Sequence, residues 1–282
     1  MRAGKSKMVS RICLFFVIAC SLLPQSASAW GVKGHRIAAF IAARELHRMA
    51  AAQIADLLGS PDVADGMAEA SVWADEIVPD RHETAPWHFV DIEISGTPYR
   101  AARDCPSGDC VVAQIDKDVA ILKNKRSART VRVEALKFLI HFVADLHQPL
   151  HCSDNHDRGG NDVGIVTTGN YPNLHSLWDV GVVNALHVRL AVPDDAEALA
   201  NALDRSVTDA ERTEWRRGTT ADWANQSWTI AKTIYAGLPA RTGRFAPIVL
   251  PRDYAARMSS IAGAQLTRAG VRLAELLNEA LP

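Results

Sequence analysis

The chain has 282 residues, 48% of them hydrophobic, with 31 basic and 32 acidic side chains for a formal net charge of −1. That length supports one good-sized hydrophobic core. The charge balance argues against a protein that coats nucleic acid through a broad basic surface, but not against an enzyme that grips phosphates through metal ions.

Arg2, Lys5, Lys7 and Arg11 form a positive start without an acidic residue, and Ile12 to Leu23 is a nearly unbroken apolar run. Ala27-Ser28-Ala29 then gives the small-residue pattern of a cleavage site. Residues 1–29 read as a secretory signal peptide, too short and wrongly flanked for a spanning helix. Cleavage after Ala29 makes Trp30 the first residue of a mature domain over 30–282. That domain carries 27 basic and 32 acidic residues. Without a second long apolar run it is expected to be soluble and exported, to a periplasm or outside the cell, with no stable membrane association. A monomer is expected.

Next comes "HRIAAFIAARELHRMAAAQIADLL", Ala-rich with apolar residues at three- and four-residue steps, which predicts a helix. Asp75 follows in "SVWADEI" and His88 in "PWHFVDIE". "CPSGDC" closes a small loop, and an exported chain meets oxidising conditions, so a Cys105–Cys110 disulfide is expected. Cys152 is left over and reads as a small buried residue. "DCVVAQIDKDVAILKN" is helical. "RVEALKFLIHFVADLHQ" is a long, strongly apolar helix that Pro149 should end. "DVGIVTTGN" suggests a small hairpin. "TTADWANQSWTIAKTIYAGL" and "YAARMSSIAGAQLTRAGVRLAELLNEAL" are two further amphipathic helices. One all-α domain is the simplest reading.

Chemistry-bearing residues gather in the middle of the chain. His141 and Asp145 stand four apart on one face of the long helix, and His151 follows just past Pro149. His175 and Asp179 repeat the four-residue spacing in "NLHSLWD". Imidazole and carboxylate are zinc ligands, and a helical i,i+4 pair fixes two at little entropic cost. One such pair is as easily a helix-surface hydrogen bond. Two pairs and a third histidine, on a helix too apolar to bury His141 and Asp145 without strong partners, favour metal. His147, on the opposite side of the helix from Asp145, reads as a hydrogen-bonding structural residue. His47, His82, His156 and His187 read as surface histidines, and Trp73, Trp87 and Trp178 as core aromatics.

Taken together, "WGVKGH", "WAD", "WHFVD", "HFVADLHQPLH", "DRGGN" and "NLHSLWD" resemble, in order, the zinc-dependent single-strand nucleases and 3′-nucleotidases of the S-one/P-one type. The resemblance runs from Trp30 to Asp179 with helical segments after. It implies an all-α fold of the phospholipase C and zinc-nuclease type, with three Zn2+ in one cleft. One ion would take Asp75, His88, His141 and Asp145. A second would take His151, His175 and Asp179. The third would take His35, a bridging Asp145, and the free amino group and carbonyl oxygen of Trp30. Asp145 and Asp75 would be the catalytic carboxylates. Phe89 would stack on a base and Asp91 would hydrogen-bond its edge. The implied activity is endonucleolytic hydrolysis of single-stranded DNA and RNA, and of nucleotides, to 5′-phosphate products. The chain departs from the pattern at Val78, where some members carry arginine and for which Arg81 is a candidate substitute. It departs again at Gln226, where an acidic residue is expected. Two alternatives stay open at the level of sequence: a zinc phospholipase C and a non-catalytic exported zinc-binding protein.

Overall fold

The computed structural model describes residues 30–240, 243 and 246–282. The signal-peptide reading of residues 1–29 lies outside them. Helix α1 (Gly31–Arg44) buries Ile37, Ala38, Phe40 and Ile41 along one stripe, as its three- and four-residue apolar spacing demands. After it come α2 (Arg48–Leu58), α3 (Val63–Ala70), α4 (Trp73–Ile77) and a 3-10 stretch over His82–His88. The disulfide Cys105–Cys110 forms, and Cys110 is the residue from which α5 (Val111–Lys123) starts. The long apolar helix is α6 (Arg129–Leu146). Short helical turns lie across 174–190, followed by α7 (Ala196–Arg205), α8 (Asp209–Trp215), α9 (Thr220–Ala236) and α10 (Tyr254–Ala280). The fold is all-α, as expected.

Three details differ from the sequence reading. The helix expected over 35–58 is broken between α1 and α2. Asn278 of α10 holds the break open: its Oδ1 accepts from the His47 backbone N–H (2.7 Å), and its amide donates to the Glu45 carbonyl (3.0 Å). The expected hairpin over 162–170 is instead a parallel pair, Ile165–Val166 with Ile248–Val249. Its local return supplies only one antiparallel bridge, Gly164 to Asn173. The third is α7 and α8, which were not read from apolar periodicity, although both open on polar caps. Asp195 accepts from Ala198 N–H, and Thr208 and Glu211 form a capping box.

The core has two parts. One centres on Ile115, Leu139 and Phe142 of α5 and α6. The other centres on Trp30, Trp178 and Leu266. Helices α1, α6 and α10 contribute to both. Each fully buried large apolar side chain contributes about 1.5–3 kcal/mol. Helix α10 meets α1 at Gly270, where an added Cβ would lie 2.5 Å from Ile41 Cγ2 and 3.0 Å from the Ala38 carbonyl. This packing seats His35, on the first turns of α1, against the C-terminal half of α6.

Candidate metal centre

Helix α6 ends at Leu146, three residues before Pro149. Proline cannot continue the helix and instead opens a 3-10 turn, Pro149–Cys152, whose start is capped by Gln148 Oε1 accepting from Leu150 N–H (2.7 Å). That turn brings His151 back beside the last turns of α6. Three groups of ligand-type side chains result: His35, His141 and Asp145; Asp75, His88 and His141; and His151, His175 and Asp179.

Asp145 is fully buried at the junction of the first two groups. Its Oδ1 lies 3.3 Å from His35 Nε2, while its Oδ2 lies 3.0 Å from His88 Nδ1 and 3.2 Å from His141 Nε2. Asp75 Oδ1 is 3.6 Å from both His88 Nδ1 and His141 Nε2. In the third group the Nε2 atoms of His151 and His175 stand 3.0 Å apart, and Asp179 Oδ2 is 3.6 Å from His175 Nε2. Asp75 is the least buried of these side chains, at 17% exposure, so the cluster is reached from its side.

Backbone carbonyls fix the ring tautomers. His141 Nδ1 donates to Ser71 O (2.6 Å), His151 Nδ1 to His88 O (2.8 Å) and His175 Nδ1 to Gly159 O (2.7 Å). In each neutral ring this leaves Nε2 as a bare lone pair facing the cluster. Two such lone pairs 3.0 Å apart repel unless a proton or cation intervenes. Asp145 Oδ1, both nitrogens of His35 and Nε2 of His88 are buried without a hydrogen-bond partner. Buried polar atoms rarely go unpaired, and a backbone carbonyl accepting from the far ring nitrogen is a typical support of metal-bound histidine. The donor set therefore fits metal ions.

Without metal the electrostatics are frustrated. Burial, with His141 adding repulsion, pulls His35 down to about 3. Burial, with His151 adding repulsion, does the same to His175. His141 goes the other way: burial pulls it down, but the carboxylates of Asp145 and Asp75 outweigh this and lift it to about 9. Asp145 stays well below the ordinary carboxylate range because burial is outweighed by its histidine neighbours. Asp179 is pushed up by burial although Gln148 Nε2 donates to it at 2.7 Å.

Trp30 is fully buried, and its indole donates to the Ala144 carbonyl (2.9 Å), one residue before Asp145. Its own carbonyl accepts from Gly34 N–H (3.1 Å). A Cβ at position 34 would meet Trp30 Cβ at 2.6 Å, so the glycine leaves the room that Trp30 takes beside the first turn of α1. Phe89 directly follows His88 with extended backbone and is half-buried. Asp91 reaches solvent, yet its recessed setting and Asp154 push its carboxyl up to about 6. Arg81 is tied to Glu134 (2.8 Å) and Glu83 (3.0 Å), so its charge is already matched.

Other histidines stand apart. His147 is hydrogen-bonded on both nitrogens, to the Val143 carbonyl and to Arg272. His47, His82 and His156 are exposed and His187 is half-buried. Burial pushes the Cys152 thiol up, which disfavours the thiolate a metal needs. The sequence reading missed the supporting shell: the carbonyls of Ser71, His88 and Gly159, the Gln148 amide, and the role of "DRGGN". In that loop Asp154 Oδ1 accepts from the Asp157 and Arg158 N–H groups, and Asp157 Oδ1 accepts from Gly160 N–H and Tyr235 Oη. The paired glycines were the available signal. Gly159 has φ +59°, and a Cβ there would lie 2.4 Å from the Leu150 carbonyl.

Known proteins share this arrangement of sequence. The chain is 30% identical to "Endonuclease 2" of Arabidopsis thaliana over 272 residues, covering 88% of this chain and 89% of that protein. It is 28% identical to "Nuclease P1" of Penicillium citrinum, covering 89% and 97%. It is 32% identical to "Nuclease S1" of Aspergillus oryzae over a shorter span, 57% and 56%. The S1/P1 Nuclease family profile matches residues 30–282, and the chain belongs to that family.

Proposed function

We propose that this protein is an exported, zinc-dependent endonuclease. It hydrolyses phosphodiester bonds of single-stranded DNA and RNA, leaves 5′-phosphates, and removes phosphate from 3′-nucleotides. The observation that carries the reading is the Asp145 carboxylate, buried between His35 on one oxygen and His88 and His141 on the other, in a chain of this family.

Asp75, His88, His141 and Asp145 would hold one ion, and His151, His175 and Asp179 a second. His35, the second oxygen of Asp145 and the amino group and carbonyl of Trp30 would hold a third. The last of these requires removal of residues 1–29. Imidazole and carboxylate donors with carbonyl-fixed tautomers favour zinc. Such ions supply Lewis acidity that activates water near neutral pH and offsets phosphate charge in a net-acidic protein. Hydrolysis breaks the bond from phosphorus to O3′: the water oxygen joins phosphorus, and O3′ leaves as a hydroxyl with a proton from that water. Asp75 and Asp145 keep the reacting phosphate's surroundings fixed. Phe89 stacks on the base next to the cleaved bond, and Asp91 hydrogen-bonds its edge. A base must leave its stack to reach Phe89, which disfavours duplexes. Arg81 is too well paired to serve as a phosphate clamp.

The test is digestion of single-stranded and duplex DNA and RNA by the protein as purified, after exhaustive chelation, and after zinc or magnesium is returned. Activity is expected on single strands, lost on chelation and restored best by zinc, with 5′-phosphate ends. Full activity in excess chelator after long dialysis, or 3′-phosphate ends, would overturn the reading.

A further inference from the structure

Helices α8, α9 and α10 border a recess of about 510 Å3, whose lining includes Glu214, Trp215, Asn225, Gln226, Arg268 and Arg272. It lies outside the three ligand groups. Arg272 is 2% exposed and donates to three neutral acceptors: Trp215 O (2.8 Å), His147 Nε2 (2.7 Å) and Gln226 Oε1 (2.5 Å). Arg268, one turn earlier on α10, donates to Gln265 Oε1 (2.9 Å). Among the described residues no carboxylate pairs with either guanidinium. Glu211 gives Arg268 only a longer-range attraction, and Glu214, at the edge of the lining, is paired with Arg217 (3.0 Å) rather than with either of these arginines. Each guanidinium has five N–H donors, so both arginines keep donors to spare.

Arg272 lies over the Trp223 ring (4.9 Å) and Arg268 over the Trp215 ring (5.4 Å), which offsets part of their charge, but two cations four residues apart with no carboxylate partner still favour an anion that joins them. Burial, with Arg268 adding repulsion, pulls Arg272 down to about 9, so it remains charged at neutral pH. A glutamate at position 226 would have supplied the missing charge, and glutamine supplies only a neutral acceptor. We propose that this recess is a second anion site, in which Arg268 and Arg272 together take the phosphate of a nucleotide, either free or within a strand. Paired guanidinium forks match phosphate oxygens, and the volume suits a group of nucleotide size. That the phosphate belongs to a nucleotide rests on the nuclease reading. The paired-arginine anion site does not.

The metal-loaded protein is crystallised and soaked in tungstate, whose anomalous signal locates a tetrahedral oxyanion directly. The same protein is titrated calorimetrically with adenosine 5′-monophosphate and with an uncleavable phosphorothioate oligonucleotide. Tungstate is expected within hydrogen-bond reach of Arg268 and Arg272, and absent there in Arg268→Gln and Gln226→Glu. Arg268→Gln should weaken the nucleotide or strand by about tenfold without changing metal content. Gln226→Glu should weaken it as much while raising the melting temperature, because the new carboxylate pairs with Arg272. This variant keeps the test informative if Arg268→Gln folds poorly. Loss confined to adenosine monophosphate identifies a free nucleotide as occupant, and loss confined to the oligonucleotide identifies a strand. No tungstate in the wild-type recess overturns the proposal, as does nucleotide and strand binding indifferent to both variants. Oxyanion binding here in a protein without nuclease activity would overturn the catalytic reading and leave the anion site standing.

Discussion

Asp145 presents two oxygens to different neighbours, Oδ1 to His35 and Oδ2 to His88 and His141. Asparagine keeps the shape but replaces one oxygen with a donor and removes the charge. Asp145→Asn should therefore lose more than one metal ion per chain and at least about a hundredfold in activity, more than losing a hydrogen bond to a metal-binding side chain costs. Elemental analysis and single-strand digestion check this; near-normal turnover would show that the carboxylate does not bridge. The same residues set an acid limit for the metal-free protein. His35 and His175 fall from 6.5 unfolded to about 3 folded. The unfolded chain thus binds protons that the folded chain refuses, and stability present above pH 6.5 is lost as pH drops toward 3. Each group costs about 1.4 kcal/mol per pH unit in that window. His141 has the opposite sign: its stabilisation is full below pH 6.5 and is lost as pH rises through about 9. Thermal melts of chelated protein from pH 4 to 9 should show a maximum near neutrality, and a curve flat below pH 6.5 would contradict the burial of neutral rings.

The loop from Asp154 to Gly160 acts as one element, because its backbone is what reaches His175. Gly159 offers its carbonyl to the ring from a left-handed conformation, hard against Leu150. Gly159→Ala should cost about 1–3 kcal/mol in strain and release the ion of the His151, His175 and Asp179 group first. Metal content measured beside the melting temperature separates this from general unfolding, which would release all ions together. The element scale also shows what sequence could and could not tell. Helices α5, α6, α9 and α10 were legible because their apolar periodicity agrees with the packing. The His141–Asp145 and His175–Asp179 spacings were legible as ligand-type pairs, although the second pair spans a short helix that passes into a π-helical turn over Leu177–Gly181. The gap between α1 and α2 was not, because no glycine or proline marks it; Asn278, more than two hundred residues away, makes it. Ile165–Val166 had the alternation of a strand, but its partner Ile248–Val249 lies beyond α9, and pairing at that distance leaves no local trace. Carbonyl supports such as Ser71 O are invisible in principle, since every residue has one.

At the scale of the whole molecule, the first residue of the expected mature chain lies in the middle of the protein. Trp30 is buried, and its indole is held at Ala144 beside Asp145. If its amino group is a ligand, one added residue turns a basic amine into a non-basic amide. A cleavable N-terminal extension should then lower activity at least about tenfold and remove about one ion per chain, on the usual ligand counting. Exact removal should restore both, and equal metal and activity in the two forms would exclude the terminus as ligand. Trp30→Phe, correctly processed, should be milder, since it keeps the main-chain atoms and loses only the bond to Ala144. The close approach of α1 to α10 at Gly270 has a further consequence, in time rather than in space. The helix that carries His35 cannot settle until α10, more than two hundred residues later, arrives. Contacts of such long sequence separation form slowly and late, so the His35 side of the metal cluster is completed only once α10 has packed against α1.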